Sequence, residues 1–159
     1  MKIQTETITQ FYERTHQQLP ADLAKRSLGV SHFNVKRRSC LNRLVPCNRR
    51  DYYKICFVTG TGIYRFMKKK IFVNQPAVIF HNPLISCSWE SVSIEQGGYY
   101  CLFNDAFLVN NLRQDIKYAS ALFNPTITPV VLLDEINAAG IKNYFFQLES
   151  LLAMDYTYK

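Results

Sequence analysis

Three histidines (His16, His32 and His81) and five cysteines (Cys40, Cys47, Cys56, Cys87 and Cys101) are the residues of this 159-residue chain with the widest chemical reach. Their spacing does not make a metal centre. A metal-binding β-barrel ordinarily carries H-x-H with a nearby glutamate and a later histidine, and that set does not occur in the sequence. His81 precedes Asn82-Pro83 with no partner in sequence and reads as a structural histidine. A zinc site from Cys40, Cys47 and Cys56 lacks a fourth ligand at any familiar spacing, and no pair forms C-x-x-C. Nucleophilic catalysis has no better footing: there is neither a G-x-S-x-G elbow nor a local cysteine signature. Gly60-Thr61-Gly62 lies between strand-like runs rather than ahead of a helix, so it is no phosphate loop. A triad assembled in space from distant residues stays open. The expectation is a chain with no catalytic residue, no metal and no cofactor.

Charge is the stronger signal. The chain carries a net charge of +7, and residues 36–70 hold eleven of its nineteen basic side chains against one acid, Asp51. Such a block suits an acidic ligand or nucleic acid, or simply solvated strand and loop faces. The composition is 48% hydrophobic and 19% charged, which supports a packed core and excludes a disordered tail. Met1 to Glu6 contains no apolar run and nothing approaches about 18 apolar residues in succession, so neither a signal peptide nor a membrane span is expected. With an odd cysteine count, reduced thiols in a cytoplasm follow.

The elements that must position these residues are mostly strands. Thr5 to about Gln17 has Ile8, Phe11 and Tyr12 at helical spacing. Ser31–Val35 reads as a first strand, followed by a basic loop to Arg50. Tyr52–Val58 alternates and ends at Thr59-Gly60-Thr61-Gly62, a plausible hairpin turn from which Ile63–Met67 returns. Lys68-Lys69-Lys70 suits an exposed turn before Ile71–Val73. Ala77–Phe80, Ile85–Trp89 and Gly98–Phe103 complete six or seven short strands, the pattern of a sandwich or barrel. Asp105–Leu112 suits a short helix, and Pro125 and Pro129 bracket an extended link. From Asp134, a credible N-cap, Ile136, Ala139, Tyr144, Phe145, Leu148, Leu151 and Leu152 recur at helical spacing. Asn137 to Phe145 has the letters of a helix-turn-helix turn, but too few residues follow to complete that unit, and one continuous helix through Gly140 explains them. Residues 1–159 read as one domain, with a barrel over about 28–104 and helices over about 105–157.

The ordered set His32-Phe33-Asn34-Val35, Arg49 to Ile55, Phe80-His81-Asn82-Pro83, Ser88-Trp89-Glu90, Gln96 to Phe103 and Phe107-Leu108 resembles the N-terminal cupin-like domain of AraC-type transcription regulators. The likeness runs over about residues 5–157. It implies a mainly β fold, a cupin-like double-stranded β-helix (jelly-roll barrel) followed by C-terminal α-helices. It also implies a regulatory role: binding of a small-molecule effector and signalling to a separate C-terminal domain whose two helix-turn-helix units bind DNA. Homodimerisation belongs to the full-length protein, and at most weak self-association is expected of this chain. Two other readings stay open: a cupin-type metal-dependent enzyme, and a nucleic-acid-binding module acting through residues 36–70.

The mouth of a small β-barrel can hold one small ligand. The expected lining is Tyr53, Ile55, Tyr64, Trp89 and Tyr99, with Lys54, Arg65 or His81 near the polar end. Neighbouring strand residues face opposite ways, so Tyr53 and Lys54, or Tyr64 and Arg65, cannot both point inward, and about half of this set must face out. The basic excess favours an anionic or polyhydroxy ligand, such as an organic acid or a sugar.

Overall fold

The computed structural model describes residues 3–20, 23, 30–38, 44–111, 124 and 126–154. Two five-stranded sheets face each other. The first has the order β1 (Thr5–Glu6), β3 (Leu44–Arg50), β8 (Cys87–Ser91), β5 (Gly62–Phe66) and β6 (Lys69–Val73). The second has the order β10 (Val130–Leu132), β7 (Ala77–His81), β4 (Tyr53–Thr59), β9 (Gly97–Phe103) and β2 (Phe33–Arg37). Every pairing is antiparallel except β1 with β3. This is the mainly β, cupin-like jelly-roll architecture expected from the sequence. Edge strands β1 and β10 come from outside residues 28–104 and complete the two sheets. Positions 28, 29, 39–43, 112–123, 125 and 155–157 of the expected barrel and helical regions lie outside the described residues, Cys40 and Pro125 among them.

The hairpin lies one turn later than its glycines suggest. β4 and β5 belong to different sheets, so Gly60-Thr61 carries the chain across the sandwich instead of reversing it within one sheet. The hairpin joins β5 to β6 through Met67 and Lys68, with Phe66 opposite Lys69. Both turn residues take positive φ (45° and 62°), the twist that two-residue hairpins demand, here without glycine. Lys69 and Lys70 are strand residues of an exposed edge. The basic stretch before Arg50 is not a loop either: residues 44–50 form β3, with an irregular register between Val45 and Asn48.

α1 (Ile8–Arg14) starts on a capping box, Thr7 Oγ1 accepting from the Gln10 amide at 3.2 Å while Gln10 Oε1 accepts from the Thr7 amide at 2.9 Å. Its Phe11 and Tyr12 are buried in the core between the sheets. α2 (Asp105–Asn111) and α3 (Glu135–Ala153) follow. Asp134 caps α3, accepting from the Asn137 amide at 2.7 Å, and the helix runs unbroken through Gly140. Ala138 and Phe145 are buried, with Ile141, Leu148 and Leu152 packed around them. Ile136 points away at 84% exposure, so the buried stripe is rotated from the one the sequence suggests. The outer face of the second sheet, Val35, Phe57, Tyr99, Cys101 and Phe103, is thereby covered by Leu108 of α2 and by α3. Both faces of β4 and β9 are consequently buried. Among the described residues, no helix is long and apolar enough to cross a membrane.

Candidate functional site

The space between the sheets is not filled. A cavity of about 550 Å³ is lined by inward residues of β4 (Lys54, Cys56, Val58), β7 (Ile79, His81) and β8 (Cys87, Trp89). β5 adds Tyr64, β9 adds Tyr100, and β3 adds Arg50. Phe11, Arg14, His16 and Gln17, from α1 and the turn after it, complete the wall.

Its charge is lopsided. Among the described residues, Arg14, Lys36, Arg37, Arg38, Arg50 and Lys54 line it, against the single carboxylate of Glu149. Two of the cations are ion-paired: Arg14 Nε sits 2.6 Å from Glu6 Oε1, and Arg37 NH2 lies 3.2 Å from Glu149 Oε1. Burial alone would raise the Glu6 pKa, but the Arg14 and Tyr52 hydrogen bonds and the Arg14 and Arg50 charges outweigh it and leave it lowered. Arg38 donates to Gly97 O at 3.1 Å and Gln96 Oε1 at 3.0 Å, and its guanidinium lies 5.2 Å from the Trp89 ring.

Lys54 is different. It lies deep in the barrel, and among the described residues it has neither a carboxylate partner nor a hydrogen-bond acceptor. Its ammonium instead sits 4.9 Å from the Phe11 ring and 4.7 Å from the Tyr100 ring, a cation–π cradle. Burial lowers its pKa, and the Arg50, Arg14 and Arg38 charges add to that against the opposing pull of Cys56. Two further polar atoms in the cavity-lining residues, Arg50 Nε and Gln17 Oε1, are buried without a partner. Groups of this kind cost free energy unless something satisfies them.

On one side of the cavity His81 stands between two thiols. Its Nδ1 is 3.2 Å from Cys87 Sγ and its Nε2 is 3.6 Å from Cys56 Sγ. Burial, reinforced by the Arg50, Lys54 and Arg38 charges, holds His81 well below its ordinary pKa, so the imidazole is neutral. Arg50 NH1 donates to Cys87 Sγ at 2.9 Å. Among the described residues, no group of three histidine, cysteine or acidic side chains converges in a metal-binding geometry.

Of the residues expected to line a pocket, Lys54, Tyr64, His81 and Trp89 do so. Tyr53, Ile55, Arg65 and Tyr99 do not. Tyr53 stacks on Phe103 and reaches toward Asp105 on the outer face. Ile55 joins the outer apolar cluster. Tyr99 stacks on Phe145 of α3, 5.8 Å between centroids, with Arg37 above it. Arg65 turns outward to Glu90, 2.9 Å away. Strand parity explains all four, since each is adjacent in sequence to an inward residue. Arg38, Arg50, Cys56, Cys87 and Tyr100 were not anticipated. Cys56 and Cys87 stand two positions from Lys54 and Trp89, a signal present in the sequence, whereas Arg50 belongs to a strand that reads as a loop.

No protein-family model and no curated protein matches the chain. Among solved structures it is similar to ToxT from Vibrio cholerae, at 14% identity and a TM-score of 0.48, covering 80% of this chain and 50% of that one. It is also similar to ToxT from Vibrio cholerae O395 bound to (E)-4-(8-methylnaphthalen-1-yl)but-3-enoic acid, at 14% identity and a TM-score of 0.46 over the same shares. The chain spans about half the length of these structures' chains, and at such identity the likeness says nothing of what it binds.

Proposed function

We propose that the chain is the effector-sensing domain of an AraC-type transcription regulator and that its barrel cavity binds a small organic anion. Lys54 carries the reading on the ligand. A half-buried ammonium set between aromatic faces, with no counter-charge among the described residues, gains when an anionic ligand supplies the missing partner. The partnerless Arg50 Nε and the excess of cations on the cavity wall point the same way, and favour an acid over a neutral sugar. The regulatory reading rests on the ordered residues from His32 to Leu108 and on the fold they form. DNA binding then belongs to a separate C-terminal domain, and dimerisation to the full-length protein.

Within the basic segment 36–70, Arg38, Arg50 and Lys54 line the cavity and Arg65 is ion-paired, whereas Lys36 and Arg37 stand exposed at its rim and Arg49, Lys68, Lys69 and Lys70 are exposed. The cations that face the cavity suit a small anion.

Trp89 is the only tryptophan and lines the cavity, so its fluorescence reports directly. Titration with aliphatic and aromatic carboxylates, sugar phosphates and neutral sugars should give saturable changes with anions alone. Lys54→Met should weaken the best of them at least about tenfold, the range of one charge-assisted contact. If neutral sugars bind and no anion does, or if Lys54→Met leaves affinity unchanged, the reading fails.

A further inference from the structure

The charged side chains beside α1 do not balance. Glu6 of β1 stands opposite Arg50 of β3 in the paired strands and accepts from Arg14 Nε at 2.6 Å. Its second oxygen accepts from Arg14 NH2 at 3.4 Å and from the Tyr52 hydroxyl at 2.9 Å. One carboxylate thus faces two guanidiniums. Asp51, next to Arg50 in sequence, is exposed, accepts from the Ile8 amide at 2.9 Å and does not line the cavity. Lys54 of β4 brings a third positive charge, and His81, directly opposite it on β7, is neutral and offsets nothing. Among the described residues of this part of the molecule, Arg14, Arg50 and Lys54 stand against Glu6 alone, an excess of two positive charges before Arg38 is counted.

Two of these cations are open to an occupant. Lys54 is half-buried on the cavity wall and Arg14 is 37% exposed, whereas Arg50, 6% exposed, acts on the cavity through its field. Each open cation has its own seat. The Lys54 ammonium lies 4.9 Å from the Phe11 centroid and 4.7 Å from that of Tyr100. The Arg14 guanidinium lies 5.5 Å from the Phe11 centroid and gives Nε and NH2 to Glu6, leaving NH1 without a hydrogen bond among the described residues. A guanidinium has five N–H donors, so the edge carrying NH1 can take a second carboxylate. Burial lowers the Lys54 pKa, and the Arg50, Arg14 and Arg38 charges add to that against the pull of Cys56; a negative charge beside the ammonium opposes all of these. Val58, Ile79 and Trp89 supply apolar wall to the same cavity.

We propose that the cavity is a dicarboxylate site, with one carboxylate on the Lys54 ammonium, the other on Arg14 NH1, and an apolar spacer between them. The assignment rests on the organic-anion reading above and sharpens it from one negative charge to two. A monoanion leaves half of the excess charge unmatched, whereas a dianion cancels it in a partly desolvated chamber. The two seats belong to separate elements, α1 and β4. That suits two end groups on a spacer better than the single compact head of a phosphate monoester.

Trp89 fluorescence provides the test, with each diacid set against its own monomethyl ester, which has nearly the same shape and one charge fewer. Succinate, glutarate, adipate and suberate span the spacer length, and phenyl phosphate serves as the compact dianion. At about pH 7.5 both carboxyls of a diacid are ionised. The best diacid should bind at least about tenfold tighter than its half-ester, the range of one further charge-assisted contact. Arg14→Gln should bring that ratio close to one, and Arg14→Lys, which keeps the charge, should retain most of it. A purely structural role for Arg14 would weaken diacid and half-ester alike and leave the ratio unchanged, which overturns the proposal. Should Arg14→Gln fail to fold, the wild-type ratio still decides. A half-ester that binds as tightly as its diacid overturns the dicarboxylate assignment and leaves the organic-anion reading standing. Phenyl phosphate binding more tightly than every diacid overturns the two-seat arrangement. Binding of neutral sugars alone, or of none of these compounds, overturns both readings.

Discussion

Trp89 lies across Gly62, its indole filling the space in which any Cβ at position 62 would stand. The pair is a cross-strand one, Gly62 in β5 and Trp89 in the neighbouring β8. Because position 62 has no side chain, the tryptophan can lie flat along the cavity wall, its Nε1 donating to Ser91 Oγ at 3.0 Å. Gly62→Ala should displace the ring and destabilise the fold by about 1–3 kcal/mol, the usual range for overpacking. A lower urea midpoint and a shifted Trp89 emission maximum are expected, and an unchanged midpoint would contradict the packing described.

Lys54→Met has opposite expected effects on stability and binding. It removes a desolvated charge and fills the same space with an apolar chain, so the unliganded protein should gain about 1 kcal/mol. Organic-anion affinity should fall in the same variant. Denaturant melts with and without saturating anion measure both, and a destabilised, fully binding variant would refute the role given to Lys54.

Acid should weaken the fold in two stages. His81 titrates near 6.5 when unfolded and well below that when folded, because burial and the Arg50, Lys54 and Arg38 charges oppose its protonation. The unfolded chain therefore binds the extra proton first. Stability is level above about pH 6.5 and falls below it, by at most about 1.4 kcal/mol per pH unit. Glu6 acts later: its folded pKa is below 4.5, so its contribution is present above that value and lost as pH falls through the folded one. Thermal melts between about pH 7.5 and 5 should show a slope that His81→Gln flattens.

Phe145 fastens α3 to the barrel, stacked against Phe57 and Tyr99 with centroids 6.5 Å and 5.8 Å away. Phe145→Ala should cost about 3–5 kcal/mol if the helix stays docked. A smaller loss with fast amide exchange confined to residues 135–153 would mean that α3 detaches while the barrel survives.

The exposed apolar side chains of α3 are Ile136, Tyr144, Phe146 and Leu151, with Met154 at its C-cap, a patch on a single helix set against the roughly 1,200–2,000 Å² that a stable interface buries. Sedimentation at low micromolar concentration should show a monomer, and a tight dimer there would count against this account.

The strands were readable because turn residues punctuate the apolar runs, and β5 shows its alternation openly, with Tyr64 and Phe66 buried and Arg65 paired outside. In β4 and β9 the alternation carried no such label. α3 covers the outer face of that sheet, so Tyr53, Ile55, Phe57 and Tyr99 are as apolar as a core requires, while the inner face carries Lys54 and Tyr100. Hydrophobicity therefore pointed the wrong way for Tyr53 and Tyr99. β3 was missed because Leu44 to Arg50 contains a proline and three polar residues, Asn48, Arg49 and Arg50, and its pairing with β8 is irregular. With it went Arg50, the residue that ties the buried cations to the thiol.

Glu149 belongs to α3 yet faces the cavity, where Arg37 of β2 holds it. One wall of the chamber is thus fixed to the helix that lies outside the barrel. An anion that reached Arg37 would compete with Glu149 for this exposed pair, and to that extent would link occupancy to helix docking. Reciprocity then applies: if filling the chamber weakens the seat of α3 by some factor, anything that levers α3 away must tighten the grip on the occupant by that same factor.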